Sequence, residues 1–262
     1  MKPASPEQTN ILSHVRQGHN VIVDAIAGSG KSTTIITVAK ALPTKRFLQL
    51  TYNAMLRKEF RQTLEDQDIH NIDVHTFHSL GVRYFTSEAC TDMGIRRIVY
   101  EELPIKQTIP TYDVCVLDEC QDMTPLYYHF IKHTLQISQH NIQLLFLGDY
   151  MQCLYEFKGA DDRFLTMAES LWKRETFLRS RTFISCTLNM SYRITNQMAS
   201  FINHAMLGEN RIQACREGVP VYYLRNSRSN IEKIVIYHIK RILAEGIFPV
   251  TFLFWDLRYE VP

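Results

Sequence analysis

Two rhythms alternate along this chain. Short apolar runs, such as Val21-Ile22-Val23, are followed by segments whose apolar positions recur every three or four residues. The runs predict strands at 20–24, 46–51, 72–75, 113–118, 142–147, 184–188, 220–224 and 250–255. The longer period predicts helices near 31–41, 54–64, 77–86, 124–138, 195–207 and 229–244. A first helix runs from Pro6 toward Gln17: Ser5 caps it, Pro6 suits the first turn, and Gln8 completes a capping box. Strand and helix in alternation imply an α/β fold, a parallel sheet with helices on both faces. The runs at 113–118 and 142–147 are almost wholly apolar, as strands buried on both sides must be. Phe252-Leu253-Phe254-Trp255 reads as one more buried strand, and its nearness to Pro262 suggests a longer fold that has been cut.

Composition adds limits rather than direction. With 262 residues, 45% hydrophobic and 21% charged, the chain suffices for one large domain, or one domain and part of another. A net charge of +2 gives no global basic field, so any contact with nucleic acid must come from local patches and aromatic side chains. No apolar run has the length of a membrane span, and the start lacks the core of a signal peptide. No membrane partner is expected, and an intracellular location is, in the nucleus or cytoplasm. Cys90, Cys115, Cys120, Cys153, Cys186 and Cys215 form no C-x-x-C pair and no metal-ligand rhythm. Buried thiols in a reducing compartment are the simpler reading. A cluster of charge at Lys173, Arg174, Glu175, Arg179 and Arg181 suggests a boundary, giving a first domain over 1–180 and a second over 181–262.

The chemistry starts at Asp24-Ala25-Ile26-Ala27-Gly28-Ser29-Gly30-Lys31-Ser32-Thr33, between a strand and a helix. Strand, glycine-rich turn and helix N-terminus aim backbone N–H groups at anionic oxygens. Gly28 and Gly30 allow angles and close approach that a Cβ forbids. Ala27, Gly28, Ser29, Gly30, Lys31, Ser32 and Thr33 are therefore the expected phosphate cradle. Lys31 would neutralise the outer phosphates, and the Ser32 hydroxyl would meet Mg²⁺. Ala25 stands where the strict G-x-x-x-x-G-K-[ST] pattern has its first glycine, so the flanking elements carry part of the argument.

Two further stretches follow buried strands. Leu117-Asp118-Glu119-Cys120-Gln121-Asp122 puts adjacent carboxylates at a strand's carboxyl end, where open α/β sheets bind ligands. There Asp118 would hold Mg²⁺ and Glu119 would polarise water, although acidic residues also occur after strands as solvated turns. Leu147-Gly148-Asp149 leads to Gln152, a candidate sensor of the terminal phosphate, and then to Tyr155 and Phe157. The two rings would stack on bases, or else belong to the core.

Together these residues resemble superfamily 1A DNA helicases of the UvrD/Rep type. Pro6-Glu7-Gln8 is similar to that family's Q motif, implying that Gln8 reads adenine beside its capping role. Leu50-Thr51-Tyr52-Asn53 resembles motif Ia and His75-Thr76-Phe77-His78-Ser79-Leu80 resembles motif Ib. The resemblance implies that Tyr52, Asn53, Thr76, Phe77 and His78 line a single-strand track with Tyr155 and Phe157. Asn189-Met190-Ser191-Tyr192-Arg193 resembles motif IV, implying that Tyr192 stacks on adenine and Arg193 reaches the terminal phosphate from the second domain.

The implied fold is a RecA-like P-loop NTPase domain followed by the start of a second, incomplete one. The implied cofactors are ATP and Mg²⁺. The implied catalytic set is Lys31, Asp118, Glu119, Gln152 and Arg193. The implied function is ATP-driven translocation or unwinding, usually 3′→5′, on single-stranded DNA or a single/double-strand junction, with a loading or repair protein as a further partner. The chain departs from the pattern in two ways. The 1B insertion is minimal, at about 85–112, closer to the F-box DNA helicase and viral relatives. Motifs V and VI and subdomain 2B are missing, which implies slow hydrolysis and slower unwinding. An alternative is a nucleotide-gated DNA-binding or interaction module without motor activity. An unrelated P-loop ATPase or kinase leaves 75–80 and 148–161 unexplained.

Overall fold

The structure is a computed structural model that describes residues 3–153, 157, 159–221, 237, 240 and 241. The expected strands at 220–224 and 250–255, the body of the helix at 229–244, and Tyr155 lie outside the described residues. A compact unit spans Met1–Val219.

Six strands make one parallel sheet: β1 (Asn20–Ala25), β2 (Phe47–Thr51), β3 (Ile72–Thr76), β4 (Val114–Leu117), β5 (Gln143–Gly148) and β6 (Phe183–Leu188). Their spatial order is β3-β2-β4-β5-β1-β6. Successive side chains on a strand point to opposite faces, so each central strand feeds two cores. Val114 and Val116 pack on one side with Val21, Val23, Leu145 and Leu147. Cys115 and Leu117 pack on the other with Leu48, Leu50, Leu144 and Phe146. This is why the central strands are continuous apolar runs.

The helices of the unit are α1 (Pro6–Gln17), α2 (Lys31–Ala41), α3 (Ala54–Asp66), α4 (Phe77–Tyr84), α5 (Asp92–Tyr100), α6 (Pro125–Ser138), α7 (Arg163–Thr166), α8 (Ala168–Trp172) and α9 (Asn196–Phe201). The expected capping box at Ser5 is present, with Gln8 at its third position. The expected helix at 195–207 divides into α9 and a wider π turn over Ile202–Leu207, which ends at the left-handed Gly208. The short insertion at 85–112 is built around α5, capped by Thr91 and packed through Ile95 and Ile98. Two short strands, β7 (Met190–Ser191) and β8 (Gln213–Ala214), form a separate parallel pair.

The boundary expected at 180 is not where this unit ends. The strand expected to open a second domain is β6, and it pairs with β1 from Asn20↔Phe183 to Ala25↔Leu188. Local pattern identifies a strand but not its sheet, because parallel partners are distant in sequence.

Candidate functional site

In the sheet, β4, β5 and β1 are consecutive neighbours. Their carboxyl ends therefore bring three sequence-distant stretches together, as expected for ligand sites in open α/β sheets. After β1 the chain turns at Gly28 (φ 73°) and Gly30 (φ 91°), both left-handed. A Cβ on Gly28 would lie 2.5 Å from Arg193 Cβ and 2.9 Å from Ser191 Oγ, so only glycine fits. Gly30 is the N-cap of α2 and offers no side chain to its first turn, leaving the orphan amides open to an anion. The buried Ser29 Oγ has no hydrogen-bond partner among the described residues. Ser32 and Thr33 are exposed on the first turn of α2.

Lys31 Nζ lies 3.3 Å from Glu119 Oε2. The lysine of the cradle and the acidic pair after β4 therefore meet at one place on the carboxyl edge of the sheet. Burial first, and then the adjacent Glu119 charge, raise Asp118 well above the ordinary carboxylate range; Lys31 opposes this. Asp118 Oδ1 accepts from Glu119 N at 3.1 Å, and Oδ2 accepts from Gln49 Nε2 at 3.3 Å. Glu119 itself is left-handed (φ 55°), a strained conformation for a non-glycine residue and one that clusters at functional sites.

Gln121 joins these groups from inside the acidic stretch. Its Nε2 donates to Glu119 Oε2 at 2.9 Å, and its Oε1 accepts from Asp149 N at 3.1 Å. One side chain thus ties the acidic pair to the turn after β5. That turn is a 3-10 turn over Tyr150–Gln152, capped by Asp149, and it carries Gln152 at the same sheet edge.

The segment resembling motif IV lies against the cradle. Ser191 Oγ donates to Ala27 O at 2.8 Å, and Tyr192 N donates to Gly28 O at 2.9 Å. Tyr192 and Arg193 are exposed beside the loop. The expectation that Arg193 comes from a second domain is corrected: it belongs to the same compact unit, carried there by β6 and β7. Gln8 also reaches the cradle. Its Nε2 donates to Thr34 Oγ1 at 3.2 Å while its Oε1 accepts from Ser5 N at 3.0 Å. The capping role is therefore occupied, and one amide hydrogen remains.

The residues assigned to a single-strand track divide. Phe77 is only 5% exposed and stacks on Tyr127 at 4.5 Å between centroids, so it is core and presents no face to a base. Thr76 is buried and its hydroxyl caps α4 at Ser79 N. Tyr52 packs edge-on to Tyr127, and His78 Nε2 sits 3.0 Å from Asp92 Oδ1. Asn53 is an exposed cap of α3. Phe157 is 79% exposed, which removes the alternative that its ring is core.

Among the described residues there is no cluster of three or more His, Cys, Asp or Glu side chains able to hold a metal by themselves, and no helix long and apolar enough to cross a membrane. The profile of the AAA domain family matches residues 8–158. None of the curated proteins matches the chain. Unliganded Pif1 from Bacteroides sp is similar over 77% of this chain and 45% of its own, at 16% identity and a TM-score of 0.44. Pif1 helicase from Candida albicans is similar over 92% of this chain and 56% of its own, at 18% identity and a TM-score of 0.43. The chain spans about half the length of these two structures.

Proposed function

This chain belongs to the AAA domain family, and from that premise we propose that it binds ATP with Mg²⁺ and hydrolyses it under the control of single-stranded DNA, as the ATP-binding part of a UvrD-type helicase. The observation that carries the proposal is the 3.3 Å contact between Lys31 and Glu119, which brings cradle and acidic pair together.

The residues fit the group. Two left-handed glycines clear space for phosphate oxygens, the first turn of α2 offers uncapped amides, and Ser29 Oγ has no partner among the described residues. Ser32 and Asp118 would hold Mg²⁺, and the bound metal would supply counter-charge to the phosphates. Lys31 pairs with Glu119 at 3.3 Å. Transfer of Lys31 to phosphate would leave Glu119 Oε2 able to accept a proton from water, held by Gln121 Nε2. Positioning of Glu119 in a strained conformation is consistent with that duty. Arg193, beside Gly28, would add positive charge at the cradle, and Tyr192 would face the adenine. Phe157 would stack on a base.

The test is phosphate release by the chain with and without a single-stranded oligonucleotide, with blunt duplex for comparison. Stimulation by the single strand is expected. Nucleotide binding with no hydrolysis under either condition would refute the motor reading and leave a nucleotide-gated binding module.

A further inference from the structure

Arg211 lies outside every motif named above, yet it ends at the site. It follows Gly208 and precedes β8, whose pairing of Ser191↔Ala214 lays the segment beside the residues on the cradle. Asn203 fixes the neighbouring residue: its Oδ1 accepts from Ile212 N at 3.0 Å and its Nδ2 donates to Ile212 O at 2.8 Å. Arg211 is 9% exposed. Its Nη2 donates to Asp24 Oδ1 at 2.7 Å and to Asp149 Oδ1 at 2.8 Å, and its guanidinium lies 4.4 Å from the centroid of the Tyr150 ring. Asp24 is the penultimate residue of β1, just before the cradle. Asp149 is the cap of the turn that carries Gln152.

The same Asp149 Oδ1 accepts from Met151 N at 3.2 Å. One buried oxygen therefore both holds the turn and meets the arginine. Beyond it the bonds continue from Asp149 N to Gln121, from Gln121 to Glu119, and from Glu119 to Lys31. We propose that Arg211 is a positioning residue, locking the Asp149–Gln152 turn to the strand that bears the cradle so that Gln152 and Glu119 hold fixed places relative to Lys31. A buried carboxylate stripped of its cation must take up a proton or turn away. Protonation weakens the acceptor of Met151 N, and turning away removes it. The role of Arg211 in hydrolysis rests on the function proposed above, whereas its hold on the turn does not.

Two variants test it, Arg211→Met and Arg211→Lys. Lysine keeps a charge between the carboxylates but loses the planar contact with Tyr150. Hydrogen exchange in the nucleotide-free chain comes first. Amides of Met151 and Gln152 are expected to exchange at least about tenfold faster in Arg211→Met, with α2 amides unchanged and Arg211→Lys intermediate. Single-strand-stimulated hydrolysis comes second. A fall in kcat of about a hundredfold with KM for ATP within about twofold is expected from a misplaced site. Unchanged exchange at Met151 and Gln152 overturns the proposal, and so does a raised KM with kcat intact. If Arg211→Met does not fold, Arg211→Lys alone decides: wild-type exchange in that folded variant at the turn, together with wild-type kcat, overturns it. Failure of the ATPase reading leaves the exchange result standing, so the two are separable.

Discussion

A single methyl group at Gly28 is a quantitative probe of how the motif IV-like segment lies on the cradle. Gly28→Ala imposes two costs. The left-handed backbone (φ 73°) costs an L residue about 1–2 kcal/mol. The new Cβ would also sit 2.5 Å from Arg193 Cβ and 2.9 Å from Ser191 Oγ. Overpacking of that kind costs about 1–3 kcal/mol more. If residues 191–193 swing away instead, the Ser191–Ala27 and Tyr192–Gly28 bonds are lost, at roughly 0.5–1.5 kcal/mol each. Gly208→Ala is the control, because its φ is 72° and a Cβ there meets nothing within 4 Å. Urea unfolding of both variants with linear extrapolation separates the terms. Gly28→Ala is expected to be less stable than Gly208→Ala by about 1–3 kcal/mol. Equal losses, within about 0.5 kcal/mol, would refute the close approach of Arg193 to the cradle.

Three further outcomes are expected. Glu119→Gln should keep nucleotide affinity at or above wild type, because Lys31 loses the carboxylate it pairs with, while phosphate release falls about 10²–10⁴-fold; isothermal titration and a release assay read the two. Phe157→Ala should weaken single-strand affinity by about 1–3 kcal/mol in a fluorescence anisotropy titration, with ATP affinity intact. Burial, then the charges of Arg61 and Arg83, lower His75 to about 4 from an ordinary value of 6.5. The unfolded chain then binds the extra proton, so the contribution to stability is full above pH 6.5 and is lost as pH falls toward 4. His75→Gln should abolish about 3 kcal/mol of that acid loss, measured as the difference between unfolding free energies at pH 7 and pH 4.

What the sequence made legible is what local physics encodes. The bounds of α2 follow from a glycine turn and a helical period, and β4 and β5 from apolar runs long enough to be buried twice. The convergence of cradle and acidic pair followed from both being at strand ends. Phe77 was misplaced by resemblance to a motif although its own period was informative: Phe77, Leu80 and Tyr84 share the buried face of α4. Helix α5 was missed because Gly94 interrupts a short pattern, although Thr91 is a good cap. Gly94 is there because a Cβ would lie 2.0 Å from Glu88 O. Arg211 had no local signal, and Gln121 had only its place beside the acidic pair. Their roles come from partners up to 187 residues away, which only the assembled sheet brings near.

The most direct measurement is a calorimetric titration of Mg·ATP into the wild-type chain and Lys31→Ala. Saturable binding to the wild type, weakened at least about a hundredfold by loss of a charge-assisted phosphate contact, is the expected result. Equal affinity in the two proteins would mean that the triphosphate, if it binds, does not lie between Lys31 and Glu119.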